Sequence, residues 1–153
     1  MNCERCKKPG KQICDSCLPS IVERWTGRAL KETREGLFVN DGSFKGAVNE
    51  HIAGKITANA KISKKGGKDA LFPLSANDTA EGFMQKLLTG KRRRVRKSIL
   101  KDSTDAELFR YAKIRKLRWK KHKENEKFVD ALERELEGSS HSIAKISEKL
   151  KDL

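Results

Sequence analysis

Four cysteines fall within the first seventeen residues as two C-x-x-C pairs, Cys3–Cys6 and Cys14–Cys17, and the rest of the chain has none. Seven residues separate the pairs, with Pro9-Gly10 placed to turn the chain between them. A C-x-x-C pair sets two thiolates on one tight turn, and two such pairs close the tetrahedral Cys₄ set that Zn²⁺ favours. Arg5, Lys7, Lys8 and Lys11 lie close by. Cations lower thiol pKa and partly offset the negative charge of a Zn(Cys)₄ centre. Spacing alone leaves two other readings open, a pair of disulfides or an iron–sulfur cluster. No leader-like segment precedes the cysteines, which weighs against the disulfides. The expectation is a structural zinc ion held by Cys3, Cys6, Cys14 and Cys17.

A metal-folded N-terminus leaves most of the chain to find its own core. Of 153 residues, 36% are hydrophobic and 37% charged, enough for a thin core and a small zinc module joined to a helical body. No apolar run approaches membrane-spanning length, so the chain is read as cytoplasmic with no membrane partner. The formal net charge is +14. A balance that basic favours polyanions, with nucleic acid first among them.

The fold class expected is mainly α, with a small N-terminal Cys₄ zinc module and a short irregular or β-containing middle segment. Residues 1–18 are the zinc module and 19–36 a helix. Residues 37–76 are a loop-rich middle, and 77–153 a basic helical domain. Leu18 to Gly36 reads as a helix with Pro19 in its first turn and Ile21, Val22, Trp25, Ala29 and Leu30 as its apolar stripe. From Phe38 to Gly67 glycines recur, and only Ile56 to Ile62 alternates like a strand. Asp78-Thr79-Ala80-Glu81 resembles an acidic capping box. Ala80, Phe83, Met84, Leu87 and Leu88 follow at core spacing, and Gly90 closes the helix. Thr104 to Glu107 opens another helix carrying Leu108, Tyr111, Ala112 and Leu117. Phe128, Val129, Leu132 and Leu136 mark a further helix, and Ile143, Ile146 and Leu150 a last one.

Two basic tracts concentrate the charge. The first is Lys91, Arg92, Arg93, Arg94, Arg96 and Lys97, directly after the helix that ends at Gly90. The second comprises Lys113, Arg115, Lys116, Arg118, Trp119, Lys120 and Lys121 and runs on to Lys123. Between Lys91 and Lys123 there are 15 Lys and Arg against three acids, so nearly all the excess charge sits in a fifth of the length. A solvated helix face usually mixes signs; these tracts read as a polyanion-binding surface. Arginine forks suit phosphate oxygens, which makes Arg92 to Arg94 and Arg96 the expected anchors. Trp119 among cations can stack on an unpaired base, favouring RNA loops over duplex, whereas Tyr111 at helical spacing from Leu108 reads as core.

No catalytic constellation stands out. His51, His122 and His141 lie beside no nucleophile, and every cysteine is committed to metal. Gly66-Gly67-Lys68-Asp69 could cradle a phosphate, although it is not G-x-x-x-x-G-K-[ST] and an ordinary loop explains it better.

Taken together, these pieces resemble the PP-loop ATPases that 2-thiolate tRNA. Cys14 to Glu23 is similar to the passage from zinc module into helix at the start of that family. Gly66-Gly67-Lys68-Asp69 is similar to the latter part of its S-G-G-x-D-S loop. Leu74 to Gly90 resembles its N-x-x-D-x-A-x-x-x-L-x-x-L-L-x-G segment, and Glu107 to Ala112 its E-x-x-x-Y-A helix. The end of the chain, Phe128 to Lys145, is similar to the family's L-E-x-x-x-P-G-x-x-x-S-I-x-K end, with Glu137 in place of the proline. The resemblance implies ATP at Gly66, Gly67 and Asp69, and tRNA on the helical end. Lys65 and Ala70 replace both serines of the loop, and no further cysteines exist for sulfur transfer or a catalytic cluster. Too few residues lie between Gly66 and Leu74 for the family's full nucleotide-binding core. The expectation is therefore a shortened relative.

The function expected is a zinc-containing, RNA-binding protein of tRNA or a ribonucleoprotein, non-catalytic on its own and able to work beside a catalytic protein partner. The alternatives are an ATP-dependent tRNA sulfurtransferase, or a subunit of one, and a DNA-binding zinc protein.

Overall fold

The structure, a computed structural model, describes residues 1–10, 12–33, 36–91, 96–120, 130, 134, 136 and 138–150. Among these, five helices and two short parallel strands follow the four-cysteine module, so the mainly α class with a small β element holds. The elements are α1 (Leu18–Thr33), β1 (Leu37–Val39), α2 (Phe44–Ile56), β2 (Lys61–Ser63), α3 (Ala76–Thr89), α4 (Asp105–Ile114) and α5 (Ser139–Lys149).

α1 starts directly on the last cysteine, with the Leu18 N–H donating to the Cys14 carbonyl at 3.0 Å. Leu18, Ile21, Val22 and Ala29 are buried, with Trp25 and Leu30 packed against the same core, as the spacing predicts. The helix ends at Thr33, three residues before Gly36.

The stretch read as loop with short strands contains a thirteen-residue helix, α2, set between two parallel strands. Its apolar stripe is narrow and interrupted. Val48, Ile52 and Ala53 are buried, but so are Lys45, Gly46 and Asn49. Asn49 replaces apolar packing with hydrogen bonds, its Nδ2 donating to the carbonyls of Val39 (2.9 Å) and Leu71 (3.0 Å). Gly46 is required by contact: a Cβ there would lie 2.5 Å from Asp41 Oδ1 and 2.9 Å from the Asp41 nitrogen. Strand pairing runs Leu37–Lys61, Phe38–Ile62 and Val39–Ser63, and Leu71 bridges to Phe38 in the same parallel sense. Of the alternating Ile56 to Ile62 stretch, only Lys61 and Ile62 lie in a strand; Ile56 is the last residue of α2.

α3 is capped one turn earlier than the sequence indicates. Ser75 is its N-cap and Asp78 the N3 partner of a complete capping box, so Asp78 closes the box rather than opening it. Ser75 is buried and its own N–H needs a partner, which Asp78 Oδ2 supplies at 2.9 Å. α4 carries the predicted box, Thr104 with Glu107. Gly90 closes α3 in the left-handed region, at φ +66°.

Two expectations about apolar faces need correcting. Leu87 and Leu88 are 62% and 74% exposed, because α3 outruns the core and every residue from Lys86 to Gly90 is exposed. Leu117 lies beyond α4, which stops at Ile114. The C-terminus of α4 is a Schellman turn: the Leu117 N–H reaches the Ala112 carbonyl at 3.0 Å, the Lys116 N–H reaches Lys113 at 3.1 Å, and Lys116 is left-handed at φ +52°.

The core joins α1, α2, β1 and α4 through residues that include Val22, Phe38, Val48, Ile52 and Leu108, closed by Leu71, Ile99 and Leu100. α5 packs along α3. Phe128, Val129 and Leu132 lie outside the described residues, and Leu136 is exposed.

Candidate metal centre and nucleic-acid interface

Two backbone turns build the metal centre. In the first, the Cys3 N–H donates to the Lys8 carbonyl (2.8 Å) and the Lys7 N–H to the Cys3 carbonyl (2.9 Å), with Lys7 at φ +61° and an Asn2–Pro9 bridge closing the loop. In the second, the Cys17 N–H bonds the Cys14 carbonyl at 3.0 Å. The Cys14 N–H points at Cys3 Sγ, 3.4 Å away, and Cys6 Sγ lies 3.5 Å from Cys14 Sγ. All four sulfur atoms lie within 4.8 Å of one another, and all four cysteines are free of disulfides. Zn–S bonds of 2.3 Å place tetrahedral sulfurs about 3.8 Å apart, so a single ion closes this set with little movement.

Ionisation of the set is uneven. The backbone N–H groups of Cys14 and then Cys6 hold the Cys3 thiol down to about 6. Cys17 is pushed up to about 12, first by sharing a proton with Cys14, then by burial and the remaining sulfurs. Four thiolates this close repel one another, and a bound cation removes that obstacle.

The module is clamped to the body by Arg110 of α4. Its guanidinium donates to the Ile13 carbonyl at 2.7 Å and, through Nε, to Asp15 Oδ1 at 3.0 Å. Both acceptors flank Cys14.

A second gathering of polar groups lies at the carboxyl ends of the parallel strands, the usual place for ligands in open α/β layers. Residues 40–43 pass from β1 into α2, and the Asn40 N–H donates to the Ser63 carbonyl at the end of β2 (2.9 Å). Ser43 caps α2, its Oγ accepting from the Gly46 N–H at 3.1 Å. Lys45, 6% exposed, reaches Asp78 in the first turn of α3 (2.8 Å) and Asp105 in that of α4 (3.4 Å), drawing three helix N-termini together. Nothing in the sequence spacing marks this Lys–Asp–Asp set, because its members are 33 and 60 residues from Lys45.

Gly66, Gly67 and Asp69 lie after β2, but no helix follows them directly; the chain runs on through Leu71 to α3 at Ala76. The strand-to-helix step, which presents helix N–H groups to anions, belongs to residues 40–43 instead. Gly66 adopts φ +79°, and a Cβ there would meet the Phe72 ring at 2.8 Å.

The basic residues divide by partner. Arg96 lies over the Phe72 ring, 4.6 Å from its centroid, and the same ring packs against Gly66; Lys91 and Lys97 are exposed. Arg92, Arg93, Arg94 and Lys121 lie outside the described residues. In the second tract, Arg115 is bonded to Glu23 (2.7 Å), which also accepts from Tyr111 (2.8 Å) and Lys55 (2.9 Å). Burial alone would raise the Glu23 carboxyl, and these three donors more than reverse it. Tyr111 is fully buried. Lys113, Lys116, Arg118 and Lys120 are exposed, and the Lys120 N–H donates to the Gly42 carbonyl at 2.9 Å, laying the second tract across the β1–α2 loop. Arg118 also borders a shallow cleft of about 270 Å³ with Asn40, Ala47, Glu50, His51 and Leu117.

No helix of the described residues is long and apolar enough to cross a membrane. No family model matches the chain, and no curated protein matches it. Among solved structures it is similar to the U34-tRNA thiolase NcsA from Methanococcus maripaludis with its [4Fe-4S] cluster, at a TM-score of 0.73 and 13% identity. The likeness covers 98% of this chain and 87% of that chain, and at such low identity what it shows is a shared fold.

Proposed function

We propose that this chain is a zinc-holding, RNA-binding protein directed at tRNA, without catalytic chemistry of its own, working alone or beside a catalytic partner. The observation that carries the reading is the placement of one residue from each basic tract near the carboxyl ends of the parallel strands, Arg96 on Phe72 and Lys120 on Gly42. The structural neighbour acts on tRNA, which supports that RNA class.

Zinc is favoured by the sulfur geometry. A cubane carries its ligand sulfurs outside four irons and needs them further apart than the 4.8 Å limit here, and the chain has no cysteine beyond these four. The residues therefore fit one tetrahedral ion, and no step of this reading runs through an iron–sulfur cluster.

The test is binding of tRNA and of duplex DNA across a salt series. About six phosphate contacts give a log–log slope of about −4 to −5 on single-stranded or loop RNA. Replacing Arg92, Arg93, Arg94 and Arg96 together by Ala should flatten it by about three units and weaken all sequences alike. Equal affinity and equal slope for parent and variant would refute the reading, and a preference for duplex DNA would replace it with the DNA-binding one.

A second reading, an ATP-dependent tRNA-thiolating enzyme or its subunit, is favoured by one observation, the fold shared with a thiolase over 98% of this chain. It requires ATP on residues 64–69 or on the β1–α2 loop. Micromolar ATP affinity lost on Asp69→Ala would support it, and the absence of any ATP binding would remove it.

A further inference from the structure

Three aromatic rings line up where the second basic tract crosses the β1–α2 loop. Phe44 opens α2, Phe109 lies on α4, and Trp119 lies in the tract itself. Phe44 and Phe109 are 5.5 Å apart between ring centroids, and Phe109 and Trp119 are 5.9 Å apart, at interplanar angles of 83° and 70°. A perpendicular contact consumes at most one face of one ring in each pair. Phe109 is 37% exposed and falls off the buried stripe of Leu108, Tyr111 and Ala112, so the core does not account for it. Phe44 and Trp119 are half-buried, anchored against the core at one side.

The side chains of the second tract around the rings are cationic, while the nearby acids are Asp41 on the loop, bonded to Ser43, and Asp105, paired with Lys45. Lys113 Nζ lies 4.4 Å from the Phe109 centroid, Lys116, Arg118 and Lys120 are exposed, and no acid occurs in the sequence between Glu107 and Lys123. Aromatic faces interleaved with mobile cations are the common design of single-strand binding surfaces, where bases stack on rings and phosphates meet the charges. A protein helix seeking an apolar seat would meet four cations here, whereas an RNA strand finds both halves of its chemistry satisfied.

We propose that Phe44, Phe109 and Trp119 form a stacking platform for an unpaired segment of RNA. The inference rests on the RNA-binding reading and adds a site to it. Lys113 is the phosphate contact nearest the rings, moving from the Phe109 face toward the backbone as a base arrives. Tyr111 has no part, since its ring is buried and its hydroxyl is given to Glu23.

The test uses the full metal-loaded chain with a ten-nucleotide oligouridylate and with an RNA duplex, and compares Phe109→Leu and Trp119→Leu with the parent. Leucine keeps an apolar side chain while removing the flat ring, and circular dichroism with thermal melting confirms that each variant is folded. Either variant should bind the oligonucleotide about 5- to 100-fold more weakly with an unchanged salt slope. Duplex affinity should stay the same, and oligouridylate should quench tryptophan fluorescence in the parent but not in Trp119→Leu, where only Trp25 remains. A folded Phe109→Leu chain with parental affinity overturns the platform while tRNA binding by the parent still stands. An equal loss on duplex, or a changed slope, also overturns it, since the rings would then only be supporting the charges. Failure of the parent to bind any RNA overturns the RNA-binding reading together with the platform.

Discussion

Lys116 occupies a backbone position that glycine fills most easily. At φ +52° it holds the left-handed turn that ends α4 and sends residues 117–120 back across the β1–α2 loop. The left-handed region costs a non-glycine residue about 1 kcal/mol. Lys116→Gly should therefore raise the melting temperature by a few degrees while lowering the RNA salt slope by about 0.7 units for the lost cation. Calorimetry and a binding series on the same variant separate the two effects. Reversed signs would mean that Lys116 is held by a contact rather than tolerated by the turn. His51 gives the second prediction at this scale. Burial, with Lys55 and Arg115 nearby, holds its pKa below 6.5, and its Nε2 is buried without a hydrogen-bond partner. The unfolded chain then takes up the proton more readily, so stability falls as pH drops below about 6.5. His51→Gln should flatten that part of a denaturation series between pH 7.5 and 5; the Glu23 contribution appears only lower, below 4.5. The cysteines were fully legible in sequence because a metal knuckle is local. The Lys45–Asp78–Asp105 set was not, because side chains from three separate helices make it.

Among the elements, α2 is the one the sequence conceals. Its buried face contains a lysine, a glycine and an asparagine, so the 3.6-residue apolar rhythm that identifies α1 is broken. The polar residues on that face serve the strands and neighbouring helices: Asn49 bonds two carbonyls of the parallel unit, and Gly46 admits the Asp41 backbone. Asn49→Leu should cost about 1–3 kcal/mol in urea unfolding, because the Val39 carbonyl loses the amide in a buried place and the Leu71 carbonyl keeps only the Val39 N–H. A neutral result would show that water replaces the amide. The capping box of α4 was readable since Thr104 and Glu107 make the standard Thr-x-x-Glu pattern just before Leu108. That of α3 was displaced because Ser75, Asp78 and Glu81 offer two overlapping boxes, and burial of Ser75 chooses the earlier one. The strands are three residues each, too short to show a period of two.

For the whole molecule, the metal centre is mechanically continuous with the helix that carries the second basic tract. Arg110 joins the Ile13 carbonyl and Asp15 to the middle of α4, and α4 leads into residues 115–120. Chelation should therefore raise hydrogen exchange in residues 105–114 as well as in the first seventeen. Arg110→Ala should confine the chelation effect to the module. Unchanged protection of α4 after metal removal would show that the clamp transmits nothing. The same clamp sets an order of events during synthesis. Arg110 and Asp15 are 95 residues apart. At about 5–20 residues per second, the ribosome needs roughly 5–20 s to deliver the arginine after the aspartate. Throughout that interval the knuckle has α1, which starts on Cys17, but not the α4 clamp to hold it, so an ion that arrives early closes the module before α4 is joined to it.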